Sequence, residues 1–328
     1  MIRIGSSVIS TRAPVAPMAG CTDLPLRLIA RESGARFAFF EMVDSNSIIY
    51  GNSRKTISIL KSIEADHPIA AQLLGEDPQG MLKSAKRILE LSRPIFIDIN
   101  AACPVKKAIK KKAGAYLIRT PKTLACIVKT LASALPVPVT VKLRAGYDKI
   151  YPEEMASIAK SCESSGASAI FVHGRTRSAG YSGPVDYTAI RAIKETVKVP
   201  VIGSGDIFSV ESAKKMIDET YCDGVLVARG SLGNPWISKQ IDDYLANGKM
   251  PDDISAQNRL ETLKKHLAYV DLYRDSNPAG KVGYMRKVAM WYIKKFVGSS
   301  HIRRKISLVK TYDEMLKLLD VIEKDTEA

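Results

Sequence analysis

Residues 124–144, LACIVKTLASALPVPVTVKLR, contain one complete unit of the fold. Apolar side chains recur at helical spacing over residues 124–135, and a short run rich in β-branched residues follows at 139–143. Two basic residues, Lys142 and Arg144, stand at the end of that run. The pattern predicts a helix that leads into a buried strand, with charged groups where the strand ends.

The same alternation recurs along the chain. Strand-like runs lie at residues 13–18, 36–43, 69–73, 95–99, 139–143, 169–172, 201–202 and 224–227. Helical spacing is found at residues 24–32, 81–91, 124–135, 153–165, 187–196, 210–219 and 237–245. Eight parallel strands separated by helices predict an α/β fold of the closed (β/α)8 TIM-barrel class. The dinucleotide fingerprint GxGxxG is absent after the first run, which argues against a Rossmann domain.

Polar or conformationally special residues follow nearly every predicted strand. They are Pro17 and Met18, Glu41, Gln72, Asn100 with Cys103, Lys142 with Arg144, His173 with Arg175, Ser204 to Asp206, and Ala228 to Gly230. The carboxyl ends of the strands of such a barrel converge on one face. We therefore expect these residues to line a single site.

The sequence pattern changes after Trp236. Residues 247–253, NGKMPDD, predict a linker, and residues 258–319 show helical patterns only. We expect a barrel domain that carries the site over residues 1–245, followed by a small all-helical C-terminal domain over residues 246–328.

The composition, with 46% hydrophobic and 25% charged residues, is that of an ordinary globular protein. No apolar run approaches the ~20 residues that span a bilayer, and the first ten residues lack the apolar core of a secretion signal. Five scattered cysteines without a CxxC pair predict neither disulfides nor a metal site, and Cys126 and Cys162 are expected to pack in the interior. We expect a cytoplasmic monomer that binds no metal and no membrane.

Charge is unevenly distributed. The 49 Lys and Arg residues outnumber the 34 Asp and Glu residues, which gives a net charge of +15. Residues 99–147 contain ten bases and no acid, and residues 281–310 contain nine bases, Lys295 among them, and no acid. Because a phosphate backbone repels carboxylates, two long acid-free segments favour a nucleic acid as partner over merely solvated surfaces.

Several strings are specific enough to indicate a family. They are APMAGCTDLPLR (16–27), EMVDS (41–45), QLLGEDP (72–78), IDINAACPVKK (97–107), VKLRAG (141–146), HGRTRSAGYSGPVDY (173–187), GSGDI (203–207) and ARGSLGNPW (228–236). In order and spacing they resemble the flavin-dependent tRNA dihydrouridine synthases, most closely their bacterial DusB-like branch. The resemblance implies a TIM barrel that binds FMN, takes electrons from NADPH and reduces the C5–C6 bond of a uridine in tRNA.

The resemblance implies that Cys103 is the catalytic residue. Reduction of uracil needs a hydride at C6 and a proton at C5, so an acid must face the hydride donor across the ring. A thiol has a reference pKa of ~8.5 and stays mostly protonated at neutral pH, so it suits that task.

Residues that would hold FMN are carried over by position. They are Ala16, Pro17, Met18, Gln72, Lys142, His173, Ser204, Gly205, Asp206, Ala228, Arg229 and Gly230. Lys142 would place a positive charge by the flavin N1–C2=O edge, where charge accumulates in the reduced ring. The loops after the seventh and eighth strands of such barrels frequently cradle phosphate. Ser204 and Ala228 depart from the usual Asn and Gly, as Ala102 departs from a usual Gly, but backbone donors survive these changes.

Other residues are candidates for holding RNA. They are Asn100, Lys106, Lys107, Arg144, Arg175, Arg177, Arg286 and Lys287. A uracil stacked in RNA is out of reach, so the base must be extruded and read on its polar edge. Arg286 and Lys287 lie in MRKVAMWY (285–292), which resembles the family's basic helix, with Val288 in place of a common His.

Two alternatives stay open at this point. A flavin barrel could reduce a free pyrimidine, although the acid-free tail would then have no purpose. A non-catalytic RNA-binding protein could use the barrel as a platform, although Cys103, Lys142 and His173 would then be unexplained. Which uridine is modified is not readable, although the resemblance hints at the D-loop.

Overall fold

A computed structural model describes residues 1–51, 54–294, 296 and 298–327 of the chain. It begins with an antiparallel hairpin of β1 (Ile2–Ile4) and β2 (Ser7–Ile9), which the sequence analysis did not predict. The hairpin turns at Gly5, whose φ of +57° is in the left-handed region, and it packs its isoleucines under the amino-terminal end of the barrel.

A parallel sheet forms the centre of the molecule. Its strands, within the described residues, are β3 (Ala38–Asp44), β4 (Ile69–Leu74), β5 (Ile97–Ala101), β6 (Val139–Gly146), β7 (Ala167–Thr176), β8 (Val201–Ser204) and β9 (Gly224–Leu226). They are hydrogen-bonded in sequence order from β3 to β9. Seven of the eight predicted strands are therefore regular strands of one sheet.

The eighth predicted strand, residues 13–18, closes the barrel as two isolated bridges at Val15 with a few backbone hydrogen bonds on either side, and it is not a regular strand. Val15 forms parallel bridges to Ala38 of β3 and to Val227 beside β9. Pro14 and Pro17 flank it and have no N–H to donate, so a regular ladder cannot extend along this segment. The predicted (β/α)8 class is confirmed, with one strand reduced to a bridge.

Helices follow the strands as the apolar spacing predicted. In the barrel region they are α1 (Leu24–Glu32), α2 (Ser45–Ile49), α3 (Arg54–Ile59), α4 (Pro78–Ser92), α5 (Lys106–Lys110), α6 (Pro121–Ala134), α7 (Pro152–Ser164), α8 (Thr188–Thr196), α9 (Val210–Thr220) and α10 (Ile237–Asn247). Proline in the first turn starts α1, α4, α6 and α7, where its missing N–H costs nothing. The short helices α2, α3 and α5 were not predicted.

The barrel interior is filled by aromatic side chains near its amino-terminal end. Phe37 stacks on Phe96 with ring centroids 5.4 Å apart, and Phe39 meets Phe171 edge to face at 5.5 Å. A second apolar layer lies between the sheet and the surrounding helices. Since the lower interior is solid, a ligand can enter only from the carboxyl-terminal face.

The C-terminal region is helical, as predicted. Its helices are α11 (Ala256–Tyr273), α12 (Pro278–Ile293), α13 (Ser299–Leu308) and α14 (Tyr312–Glu327). They share a core of their own, which includes Leu263, Met285 and Leu319. The exact division at residues 245 and 246 stays a prediction, and Lys295 lies outside the described residues.

The tail packs against α1. Lys265 pairs with Glu32 at 2.7 Å, and Arg274 pairs with Asp23 at 2.8 Å. Because Asp23 caps the amino end of α1, these contacts place α11 and α12 beside the loop that leaves Val15. None of the described helices combines the length and the hydropathy that crossing a bilayer requires.

Candidate active site

A cavity of about 510 Å³ opens at the carboxyl ends of the barrel strands. Its lining includes Cys103 and all twelve residues predicted to hold a cofactor. A shallower groove of about 760 Å³, beside Arg3 and Tyr221 at the opposite end of the barrel, contains none of the predicted residues. The convergence predicted from the strand ends is therefore present, while the role of each residue stays a prediction.

A buried carboxylate lies behind Gln72 of the cavity wall and outside the cavity lining. Asp98, on β5, is fully buried and accepts hydrogen bonds from Thr140 Oγ1 at 2.6 Å and Gln72 Nε2 at 2.7 Å. Burial raises the pKa of Asp98 to about 6, against the opposing effect of these bonds and of the Lys142 charge. Asp98 is therefore mostly ionised at neutral pH.

The amide of Asn100 connects this carboxylate region to the cysteine loop. Asn100 Nδ2 donates to Gln72 Oε1 at 2.6 Å and to Met42 Sδ at 3.1 Å. Its Oδ1 accepts from the N–H groups of Ala102 at 3.0 Å and Cys103 at 2.8 Å. Since thioether sulfur is a weak acceptor, the N–H that faces Met42 is the one most easily released to a substrate.

Cys103 is half-buried in the cavity wall and is held by its backbone. Its carbonyl accepts from Ala115 N at 3.0 Å. Gly114 lies beneath it with φ +63°, and a Cβ at position 114 would come within 2.8 Å of the Cys103 oxygen. Arg144 Nε donates to Ala102 O at 2.8 Å, which ties the same loop to β6. These contacts aim the thiol at the cavity.

Lys142 reaches the cavity from β6. It is half-buried, and within the described part of the chain its ammonium has neither a hydrogen-bond partner nor an ion pair. Burial, followed by repulsion from Arg144, lowers the pKa of Lys142 to about 8. An unpaired ammonium in a cavity wall is available to an anionic or electron-rich ligand.

His173, at the end of β7, faces the cavity in its neutral form. Burial, then the charges of Lys142 and Arg144, lower the pKa of His173 to about 2. The exposed ring of Tyr181 lies over it, with centroids 6.3 Å apart. His173 can thus donate or accept a hydrogen bond near neutral pH but adds no charge.

The loops after β8 and β9 are suited to an anion. Gly205 has φ +132°, Asp206 has φ +51°, and a Cβ at position 205 would lie 2.9 Å from Val185. Among the described residues, the N–H groups of Gly205, Asp206 and Ala228 donate to no protein acceptor. Unpaired N–H groups gathered at strand ends are typical of phosphate sites.

Two arginines neutralise Asp206 in this loop. Arg229 donates to it at 2.6 Å and Arg175 at 3.0 Å, and the hydrogen bond from Arg175 is the main cause that lowers the pKa of Asp206. Arg175 is almost fully buried, and it also donates hydrogen bonds to the carbonyls of Ser182 and Gly183. It lies outside the cavity lining, so its predicted contact with RNA gains no support from the geometry.

The other predicted RNA residues fall into two groups. Asn100 and Arg144 line the cavity, where Arg144 also donates to the Thr176 and Gly180 carbonyls at 2.8 Å. Arg177 lies outside it and pairs with Asp148 at 2.7 Å. Lys106 and Lys107 are exposed on α5. Their binding of RNA stays a prediction.

The tail residues Arg286 and Lys287 lie at two different places on α12. Lys287 is exposed and donates to Gly20 O at 2.8 Å, with Cys21 Sγ 3.5 Å away. Cys21 itself lines the cavity, so Lys287 stands at the junction of the tail and the cavity mouth. Arg286 faces the other way and donates to Ser307 O at 3.1 Å.

Some site residues were not found from the sequence, and one prediction was wrong. The residues that sequence analysis missed are Asp98, Thr140, Tyr181 and Cys21. Only Asp98 had a recognisable sequence signal, because it is an acidic residue inside an otherwise apolar strand. Cys162 is buried, as predicted, but Cys126 is exposed. On α6 the core face is formed by Leu124, Ile127, Val128 and Leu131, and position 126 points away from it.

Comparison with known proteins identifies the family. The sequence model of the dihydrouridine synthase (Dus) family matches residues 14–327. The tRNA-dihydrouridine synthase B of Pseudomonas aeruginosa is 36% identical over 313 residues, which cover 95% of this chain and 93% of that protein. The tRNA-dihydrouridine synthase B of Escherichia coli is 33% identical over 323 residues, covering 97% and 98%.

Solved structures agree on the fold. The old yellow enzyme homologue from Zymomonas mobilis superimposes with a TM-score of 0.54 at 14% identity, covering 79% of this chain and 94% of that one. The old yellow enzyme from Trypanosoma cruzi gives a TM-score of 0.55 at 13% identity over the same shares. With its barrel, its tail and nearly its whole length matched, the chain is a member of the dihydrouridine synthase family.

Proposed function

We propose that the protein reduces uridine to 5,6-dihydrouridine in tRNA, using FMN as cofactor and NADPH as reductant. The observation that carries this proposal is the meeting of Cys103 and Lys142 in the lining of one cavity. One residue offers a proton and the other a positive charge, as addition of a hydride and a proton across a double bond requires. The activity named for the 33–36% identical relatives is the same.

The cavity has features that fit FMN. The unpaired amides of Gly205, Asp206 and Ala228 would hold its phosphate, and the lack of a side chain at position 205 leaves room for it. Gln72 on β4 and Lys142 on β6 both line the wall, where they would meet the polar edge of the ring system. When bound, the flavin supplies a hydride, which the uracil accepts at C6.

Lys142 would stabilise the reduced cofactor. Its ammonium meets no counter-ion in the described residues, and its pKa of about 8 leaves it charged at neutral pH. A nearby anion would raise that pKa and be stabilised in return, because opposite charges favour each other's ionised forms. Neutral His173 beside it would offer a hydrogen bond without adding charge.

Cys103 would deliver the proton to C5 of the uracil. Its thiol lines the cavity, while its backbone is held from both sides by Asn100 and Ala115. Arg144, bonded to Ala102 O, keeps the loop against the strand. The thiolate that remains regains a proton from solvent through the cavity mouth before the next turnover.

The substrate would reach the cavity as an extruded base in a bound tRNA. The exposed Lys106 and Lys107 follow Val105 of the cavity lining, and the exposed Lys287 donates to Gly20, next to Cys21 of that lining. Such charges bind the phosphate backbone without reading sequence. With tRNA as its substrate, the protein would act in the cytoplasm, where mature tRNA is found.

The decisive experiment maps dihydrouridine in tRNA from cells that lack the gene. Loss of one or more dihydrouridines should be restored by the intact gene and not by a Cys103→Ala copy. A matched Cys126→Ala copy should restore it fully, since that thiol is exposed on α6 away from the cavity. Unchanged dihydrouridine in the deletion strain would overturn the proposal.

Assays of purified protein separate the alternatives. Reduction of free uracil as readily as tRNA would favour an enzyme for small pyrimidines. A colourless protein that binds tRNA but cannot be reloaded with flavin would favour a non-catalytic RNA-binding protein.

A further inference from the structure

A directed chain of hydrogen bonds links the barrel interior to the cysteine loop. Gln72 Nε2 donates to Asp98 at 2.7 Å, and Asn100 Nδ2 donates to Gln72 Oε1 at 2.6 Å. Asn100 Oδ1 then accepts from Cys103 N at 2.8 Å. Each step uses one end of a side-chain amide, so each amide has only one orientation that satisfies both of its neighbours.

The carboxylate determines the direction of the whole chain. An ionised carboxylate can only accept, so Gln72 must turn its NH2 group toward Asp98 and its oxygen toward Asn100. Asn100 must then present its NH2 group to Gln72 and its oxygen to the loop. That oxygen is what the N–H of Cys103 needs.

We propose that Asp98 is a positioning residue, which as a pure acceptor fixes the Gln72 and Asn100 amides and thereby holds the Cys103 loop in place. The link to catalysis rests on the proposed function, in which Cys103 donates a proton. The fixing of the loop does not depend on it.

Packing alone does not account for this carboxylate. Asp98 is fully buried, and in the described part of the chain it forms no ion pair. Lys142, on β6, is the charged group that acts on it. An unpaired buried carboxylate destabilises the fold, and an apolar residue of similar size would stabilise it. Its benefit therefore lies in the bonds that it directs.

The test measures the loop without requiring activity. In Asp98→Asn the introduced amide can face Gln72 with either of its ends, so neither amide orientation is enforced. The Cys103 loop should then leave its held position more often. Alkylation of Cys103 by iodoacetamide in the flavin-free full-length protein should accelerate roughly tenfold, as expected for the loss of one buried hydrogen bond. Peptide-resolved mass spectrometry gives the rate, and exposed Cys126 serves as the internal reference.

A double variant tests the direction of the bonds. Asp98→Asn with Gln72→Glu moves the pure acceptor one step along the chain of hydrogen bonds, from position 98 to position 72. The amide at position 98 then accepts from Thr140 and donates to the carboxylate at position 72, which also accepts from Asn100. The Cys103 rate should return toward that of the unaltered protein. In Gln72→Glu alone the two facing carboxyl groups share one proton, and the group at position 72 still accepts from Asn100. The Cys103 rate should therefore stay near that of the unaltered protein, which tests the direction of the bonds even if Asp98→Asn does not fold.

Thr140→Val is the matched control. It removes one bond to Asp98 but leaves the carboxylate facing Gln72, so the Cys103 rate should stay unchanged. The inference is overturned if Asp98→Asn leaves that rate unchanged, if the double variant stays as fast as Asp98→Asn, or if Thr140→Val has the same effect. In turnover assays kcat should fall with KM for tRNA unchanged. Absence of dihydrouridine synthesis by the unaltered protein would overturn the proposed function while leaving the alkylation result intact.

Discussion

Lys142→Met should stabilise the flavin-free protein and weaken its affinity for flavin. Burial and Arg144 lower the pKa of Lys142 from 10.5 to about 8. At 1.36 kcal/mol per pH unit this corresponds to about 3 kcal/mol of destabilisation when the lysine is charged. Because the half-buried ammonium reaches water in the cavity, we expect a gain of about 1–3 kcal/mol in the free energy of unfolding near neutral pH.

The pH dependence gives this effect a signature. Between about pH 8 and the ordinary pKa of 10.5, the unfolded chain keeps the Lys142 proton and the native protein releases it. The unfolded state binds more protons there, so this lysine makes the native protein more stable as pH rises. Lys142→Met lacks that contribution, and its advantage should shrink across this window.

Urea unfolding of the flavin-free protein at several pH values measures both quantities. Lys129→Met is the matched control, because Lys129 is exposed on α6 and has no partner in the described residues; it should change stability by less than about 0.5 kcal/mol. Flavin affinity, followed by fluorescence quenching, should fall roughly tenfold or more in Lys142→Met as a charged hydrogen bond is lost. A less stable Lys142→Met protein near neutral pH, or a stability difference that does not change with pH, would refute the reasoning.

The remaining predictions concern the thiol, its support and the tail. Cys103→Ala should keep flavin and tRNA binding and lose dihydrouridine formation, and unchanged turnover measured by mass spectrometry of tRNA would remove Cys103 from the mechanism. Gly114→Ala and Gly248→Ala carry the same strain of about 1–2 kcal/mol from a left-handed backbone. Only Gly114→Ala pushes on Cys103, so it alone should slow turnover; equal effects in the two variants would contradict the contact. Lys287→Gln should reduce the salt dependence of tRNA binding by about one counter-ion, and an unaltered slope would assign Lys287 to tail docking alone.

Periodicity predicted the barrel well because the spacing of apolar residues within each element shows whether that element is amphipathic or buried on all sides. The helix predicted over 24–32 is α1 with the same bounds, since Asp23 caps it and its apolar residues keep a helical spacing. The run 13–18 was predicted as a strand of the same kind, yet only Val15 is bridged, because prolines on both sides cannot donate. The hairpin of β1 and β2 was missed, since two three-residue strands are too short for a periodic signal.

The site residues likewise include some that the sequence could predict and some that it could not. Residues at strand ends could be placed at one cavity from sequence, because the topology of the barrel brings those ends together. Arg175 was predicted with them, but its side chain turns back to Asp206, and no sequence pattern records the direction in which a side chain points. Cys126 was assigned to the interior and proved exposed, because a shift of one residue along a helix moves a side chain from the core face to the solvent face.

The sequence by itself determined the class of fold, the helical tail, the excess of positive charge and most of the residues that meet at the barrel mouth. These follow from periodicity, composition and order along the chain, which are local properties. Tertiary structure alone decided that Lys142 stands unpaired, that Gly114 lies beneath Cys103, and that Asp98 directs a chain of amides toward the thiol loop. Those facts depend on distances of a few ångströms between residues from different strands, and on which end of each amide faces its neighbour.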